Sequence, residues 1–128
     1  MKKTLLKVEN ISIFLRKKSI KKSLVENVSF ELKEGECLGI LGESGSGKSL
    51  TCKSIMGLLD NKTFFTEGKA IYNGENLLEA KGEDLRKLRG KEIAMILQNP
   101  MTCFDPLYTV GYQIMETFVE HTSLSAQE

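Results

Sequence analysis

One octapeptide constrains this chain more than any other feature: Gly42-Glu43-Ser44-Gly45-Ser46-Gly47-Lys48-Ser49. It fits the pattern G-x-x-x-x-G-K-[ST] at every fixed position. Before it stands Cys37-Leu38-Gly39-Ile40-Leu41, a short apolar run of the kind that makes a strand buried on both faces. After it, Cys52, Ile55, Met56 and Leu59 recur at i, i+3, i+4 and i+7, one face of a helix. Strand, glycine-rich turn and helix in that order predict an α/β fold with a phosphate site at the turn.

The spacing answers a chemical need. Glycines let the backbone wrap closely around phosphate without Cβ collisions. Successive N–H groups then point inward as an anion nest, and the helix start adds the positive end of its dipole. Lys48 supplies a point charge for the outer phosphates, and the Ser49 hydroxyl suits Mg²⁺. The motif by itself does not choose between ATP and GTP.

The rest of the chain reads as follows. Residues 4–15 and 24–32 have strand character, and five of the seven residues at 16–22 are basic, which predicts a solvated loop or an anion-facing patch. Asn73-Gly74 follows an alternating run, a hairpin signal. Residues 83–89 predict a short polar helix ended by Gly90, and 92–97 another buried-type strand. Both prolines fall in a loop from Gln98 to Leu107. Thr109 is placed to cap a helix with the stripe Ile114, Met115, Phe118 and Val119. The ending LSAQE, 124–128, reads as the start of a polar helix.

Charge and cysteine counts narrow the class. Eighteen basic residues balance 17 acidic ones, which excludes a nucleic-acid binder recognisable by bulk charge. Lys7, Glu9 and Asn10 interrupt the apolar N-terminus, so it reads as a strand of a cytosolic protein and not as a signal peptide. Three cysteines without a Cys-x-x-Cys pair predict small, reduced, buried residues and no zinc site. His121, the single histidine, reads as a polar residue near a helix end.

The order of elements carries a resemblance. GILGESGSGKS, GKAIYNG and DLRKLRGKEIAMILQNPMTCFDPLYTVGYQI resemble, in turn, three parts of the ATP-binding-cassette (ABC) ATPases. These are the phosphate loop, the antiparallel strand after the first helix, and the stretch around the glutamine loop. Within that family LRGKEIAMILQNPM and FDPLYTVG are most similar to importers of oligopeptides, dipeptides and nickel, with GKSLTC leaning toward nickel. The resemblance implies a P-loop ATPase core with an antiparallel β subdomain over 1–98. The glutamine loop and the start of a helical subdomain would then occupy 99–128. It implies that Gly42, Glu43, Ser44, Gly45, Ser46, Gly47, Lys48, Ser49 and Leu50 cradle the triphosphate of ATP. Ser49 and Gln98 would ligate Mg²⁺, and Gln98 would also respond to the γ-phosphate and the attacking water. Implied partners are membrane permease subunits, a second ATPase subunit and, indirectly, a substrate-binding protein, with no nucleic acid. The implied place is the cytoplasmic face of the membrane. Met101, Phe104 and Tyr108 are candidates for the permease contact or, equally, for packing of a loop.

Two departures from the family stand out. The family stacks adenine on an aromatic residue after the first strand, and Leu15 falls at that position with Phe14 beside it. Either Phe14 takes the role through a small register shift, or the adenine contact is weaker and Phe14 is a core strand residue. Second, the family's Leu-Ser-Gly-Gly-Gln signature, its Walker B strand ending in Asp-Glu and its switch histidine have no counterpart. The expectation is therefore the N-terminal portion of an importer ATPase, with negligible hydrolysis as it stands, because no residue orients the attacking water. The alternatives are a short nucleotide-binding module completed by another chain, or a small P-loop kinase using Arg86 and Arg89.

Overall fold

The computed structural model describes residues 1–17 and 20–125. The chain divides into two compact units, Met1–Lys81 and Gly82–Glu128, so the division falls ahead of the boundary expected after Gln98.

The first unit is built on an antiparallel sheet. Its strands are β1 (Thr4–Lys17), β2 (Ile20–Lys33), β3 (Phe64–Tyr72) and β4 (Glu75–Asn76), in the order β2-β1-β3-β4. β1 therefore sits inside the sheet, and its Val8, Ile11 and Ile13 are buried together with Val25, Ala70 and Leu77. Strict alternation would separate Val8 from Ile11 and Ile13. The register breaks between Val8 and Ile11 on the β2 side and between Glu9 and Ser12 on the β3 side, a bulge that shifts the phase. Asn10 adopts φ 49 there, and its N–H donates to Ser29 Oγ at 2.8 Å. Gly68 faces the same bulge: a Cβ on it would lie 2.6 Å from the Glu9 and Asn10 carbonyl oxygens, so only glycine fits. The Asn73-Gly74 signal holds. Both residues have positive φ, 48 and 87, the backbone of a type I′ hairpin turn.

Three local readings change. Residues 16–17 and 20–22 belong to strands and not to a loop: β1 runs to Lys17 and β2 starts at Ile20, while 18–19 of the basic stretch lie outside the described residues. Cys37–Leu41 joins no ladder among the described residues, and Leu38, Ile40 and Leu41 are 44%, 40% and 96% exposed. Glu92–Leu97 has no ladder either, beyond a single parallel bridge between Arg89 and Ile93. A parallel strand buried on both faces needs neighbours on both edges, and the described residues supply none. The cysteines follow suit: Cys37 and Cys103 are exposed and Cys52 is half-buried, all three free.

Helix α1 (Lys48–Ile55) buries Thr51, Ser54 and Ile55, a narrower and more polar face than the apolar spacing indicated. The second unit holds α2 (Gly82–Leu88), a 3-10 turn at Pro100–Cys103 and α3 (Val110–His121). Gly90 has φ 81 just after α2, and Thr109 Oγ1 accepts the Tyr112 N–H at 3.2 Å, the expected cap. His121, the last residue of α3, packs on Gly90: a Cβ there would lie 2.7 Å from its Nε2. The α3 stripe Ile114, Met115, Phe118 and Val119 is exposed. Leu124 and Ser125 are not helical, and the remainder of the helix expected at 124–128, residues 126–128, lies outside the described residues. Among the described residues no helix is long and apolar enough to cross a membrane.

Candidate nucleotide-phosphate site

The loop between residue 42 and α1 closes on its own lysine. Lys48 Nζ donates to the carbonyl oxygens of Gly42 and Glu43, both at 2.7 Å, and to Ser46 Oγ at 3.2 Å. An ammonium has three donors, so all are engaged inside the ring. The Ser46 N–H donates to Glu43 O at 3.1 Å and tightens the turn. A Cβ on Gly42 would stand 2.5 Å from Ser46 Oγ, so a side chain there would displace the hydroxyl that Lys48 Nζ donates to. Gly45 and Gly47 sit at φ 81 and 97, conformations that favour glycine. Gly42 to Ser46 are exposed, so the cradle is open to solvent.

Helix α1 completes it. Gly47 is its N-cap, no side chain caps it, and its first turn carries no acidic residue. The first-turn N–H groups of Lys48, Ser49 and Leu50 therefore face no competing carboxylate, and the dipole favours an anion there. Ser49 is exposed on that turn. The residues present thus fit phosphoryl oxygens: an exposed glycine-rich turn, a helix start free of acidic residues and one ammonium held within the turn.

The motif does not reveal what holds the loop in place. Gly47 rests on β2, where a Cβ would meet Val25 Cγ2 at 2.5 Å and the Leu24 carbonyl at 3.5 Å. From the other side the Thr51 N–H and Thr51 Oγ1 both donate to Gly47 O at 2.9 Å. Val25 and Thr51 are buried. The one signal for Thr51 was a hydroxyl four residues after the last loop glycine, which suits back-bonding along a helix.

The structure gathers Gly42, Glu43, Ser44, Gly45, Ser46, Gly47, Lys48, Ser49 and Leu50 in the first unit, while Gln98 belongs to the second. Gln98 is exposed just ahead of the 3-10 turn. The loop after it is organised by Gln113, which the motif reading missed. Gln113 Oε1 accepts the Asp105 N–H at 2.9 Å, and Nε2 donates to the Asp105 and Tyr108 carbonyls at 3.0 Å. Met101, Phe104 and Tyr108 are not packed away but exposed, at 77%, 39% and 55%.

Phe14 is not brought to the loop. On β1, Ile13 pairs with Val25, against which Gly47 packs; the register to β2 shifts after Ile13, but on the β3 side Phe14 follows Ile13 without a break, against Phe65. Consecutive residues of a strand point to opposite faces, so Phe14 stands on the face away from the phosphate loop. There it meets Phe65, centroids 6.4 Å apart, and Lys21 Nζ lies 3.9 Å from its ring centroid. Alternation leaves no room for the one-residue shift that the role required.

The chain is 50% identical over 105 residues to the metal-staphylopine import system ATP-binding protein CntD of Staphylococcus aureus, covering 82% of this chain and 38% of that protein. It is 43% identical over 116 residues to the dipeptide transport ATP-binding protein DppD of Lactococcus lactis, covering 91% and 33%. Against DppD of Escherichia coli it is 43% identical over 117 residues, covering 91% and 36%. The chain thus spans little more than a third of the length of these relatives. In fold it matches the ATP-binding cassette MJ0796, solved as a dimer in a post-hydrolysis state with ADP and Pi. The TM-score is 0.77 at 24% identity, over 94% of this chain and 50% of that one. The ABC transporter family model matches residues 25–127, a span that holds the phosphate loop and Gln98 alike, and the chain belongs to that family.

Proposed function

We propose that this chain is the nucleotide-binding portion of an ATPase subunit that drives import of peptides or metal complexes through a membrane permease. The observation that carries it is the Lys48 ammonium held inside the loop by Gly42 O, Glu43 O and Ser46 Oγ. A triphosphate offers the same ammonium stronger, charge-assisted acceptors, while the first-turn N–H groups of α1 take the remaining oxygens. The names of CntD and DppD support import of metal complexes or dipeptides as the class of work. Ser49 and Gln98 would hold Mg²⁺. Bound there with the phosphates, the cation would neutralise phosphate charge.

The exposed apolar segment at 37–41, the partly exposed one at 92–97 and the exposed α3 stripe support a further part of this reading. These apolar segments call for more polypeptide, from the same chain or another, before catalysis is complete. Met101, Phe104 and Tyr108 are proposed to face the permease, which places the working assembly peripherally on the cytoplasmic face of the membrane. A second cassette subunit is proposed on the dimeric precedent of MJ0796.

The test is equilibrium binding of Mg-ATP to the 128-residue chain and to Lys48→Ala, with a parallel assay of phosphate release. The reading expects weak binding that Lys48→Ala abolishes, and negligible turnover by the chain alone. Equal binding by the two proteins would remove the phosphate loop as the site. Turnover at the rate of an intact cassette would remove the need for further polypeptide.

A further inference from the structure

The face of the sheet that supports the phosphate loop carries one more aromatic side chain. Ile13 pairs with Val25 on β2 and with Thr66 on β3, and Leu15, two residues further along β1, pairs with Phe64. No register break separates these rows on the β3 side, so Phe64 shares the face of Ile13 and Val25. Gly47 packs on Val25. Phe64 therefore sits one row, about 7 Å, along the strands and two strands, about 10 Å, across from Val25, the support of the loop's last glycine, or about 12 Å in all.

The other aromatic rings nearby are already engaged. Lys21 lies over Phe14, and Arg16 stands 5.2 Å from the Phe65 centroid, both on the far face. Phe64 is half-buried. Its backbone is held firmly: the Phe64 N–H donates to Asp60 O at 2.8 Å, and the Arg16 N–H donates to Thr63 O at 2.8 Å. The turn below it is tied by the Asp60 carboxylate, which accepts the Lys62 N–H at 3.0 Å and the Thr63 hydroxyl at 2.6 Å. A rigid, partly open ring on the loop face is a stacking surface for a flat heterocycle.

We infer that Phe64, reaching in from β3 beside Leu15, supplies the aromatic face for the purine base of the nucleotide held by the phosphate loop. This rests on the nucleotide reading above and adds a base-positioning residue to it. Leu15 forms the apolar floor next to the ring, and the ribose spans the row between ring and loop. The base gains stacking, which discriminates a nucleotide from a bare polyphosphate.

The experiment titrates ATP and inorganic tripolyphosphate separately into the 128-residue chain and into Phe64→Ala, Phe64→Leu, Phe64→Trp and Lys48→Ala. The chain has no Trp, so Phe64→Trp is also a sole fluorescent reporter, with Phe14→Trp as the far-face control. Expected are roughly tenfold weaker ATP binding in Phe64→Ala and Phe64→Leu, unchanged tripolyphosphate binding in both, and retained ATP binding in Phe64→Trp. ATP should quench emission at position 64 and leave position 14 unaffected. Unchanged tripolyphosphate binding shows that the loop has kept its fold in the variants. Wild-type ATP affinity in both Phe64→Ala and Phe64→Leu overturns the inference and leaves the phosphate site standing. Parallel loss of ATP and tripolyphosphate binding in both makes Phe64 structural and also overturns it. Failure of the unaltered chain to bind either ligand, with Lys48→Ala no different, overturns the nucleotide reading itself and this inference with it.

Discussion

In Gly47→Ala the new methyl would meet Val25 Cγ2 at 2.5 Å, on a residue at φ 97. Two costs arise and they are separable. The positive φ costs about 1–2 kcal/mol for any residue with a Cβ. The collision costs about 1–3 kcal/mol, the usual range for overpacking, because neither partner yields easily. Val25 is 6% exposed, and Gly47 O is pinned by both donors of Thr51 at 2.9 Å. Together the loss is roughly 2–5 kcal/mol, a large fraction of the 5–15 kcal/mol typical of a domain. Val25→Ala removes the clashing methyl and leaves Val25 Cβ at 3.8 Å, an ordinary contact. The double variant should therefore recover the collision and keep the backbone cost. In a urea-unfolding cycle read by circular dichroism, the two substitutions together should be less damaging than their sum by about 1–3 kcal/mol. Additivity within about 0.5 kcal/mol would refute the claim that β2 props the loop through Val25.

Four other outcomes are expected. Gly68→Ala should destabilise the first unit by at least about 1–3 kcal/mol, since backbone carbonyls 2.6 Å from the new Cβ cannot rotate away; thermal unfolding reads it. Thr109→Ala removes the acceptor of the Tyr112 N–H and should cost about 1 kcal/mol, seen as faster amide exchange at the start of α3. Asp60 is held below its ordinary 3.8 first by the Thr63 hydroxyl and then by the Lys62 N–H. A depressed carboxylate stabilises above its unfolded value and loses that contribution as pH falls through the folded one, so Asp60→Asn should flatten the acid limb of the stability profile. Gly90→Ala should be destabilising through contact with His121 Nε2, and His121→Ala in the same chain should relieve it.

How much of this was legible follows from which interactions are local. The phosphate loop, the Asn73-Gly74 turn, the Gly90 stop and the Thr109 cap are written in a few adjacent residues, because φ > 0, a cap or a nest is satisfied within one turn of chain. The apolar runs at 37–41 and 92–97 declare burial but not by what. Burial on two faces is a statement about neighbours, and in the described residues those neighbours are missing. Gln98 lay in a legible block, yet no local signal announced that Gln113 would brace the loop behind it through three hydrogen bonds. Phe14 shows the sharpest limit. One residue of register decides which face of a sheet a side chain joins, and alternation here fixes Ile13 and Leu15 on the loop side through their partners Val25, Thr66 and Phe64. Sequence offered an aromatic on β1, but on the face away from the loop. Only the pairing with β3 shows that a ring on the loop face, Phe64, comes from a strand some fifty residues later in the chain. A base contact proposed there, unlike a phosphate loop written in eight adjacent residues, depends on the register of the sheet.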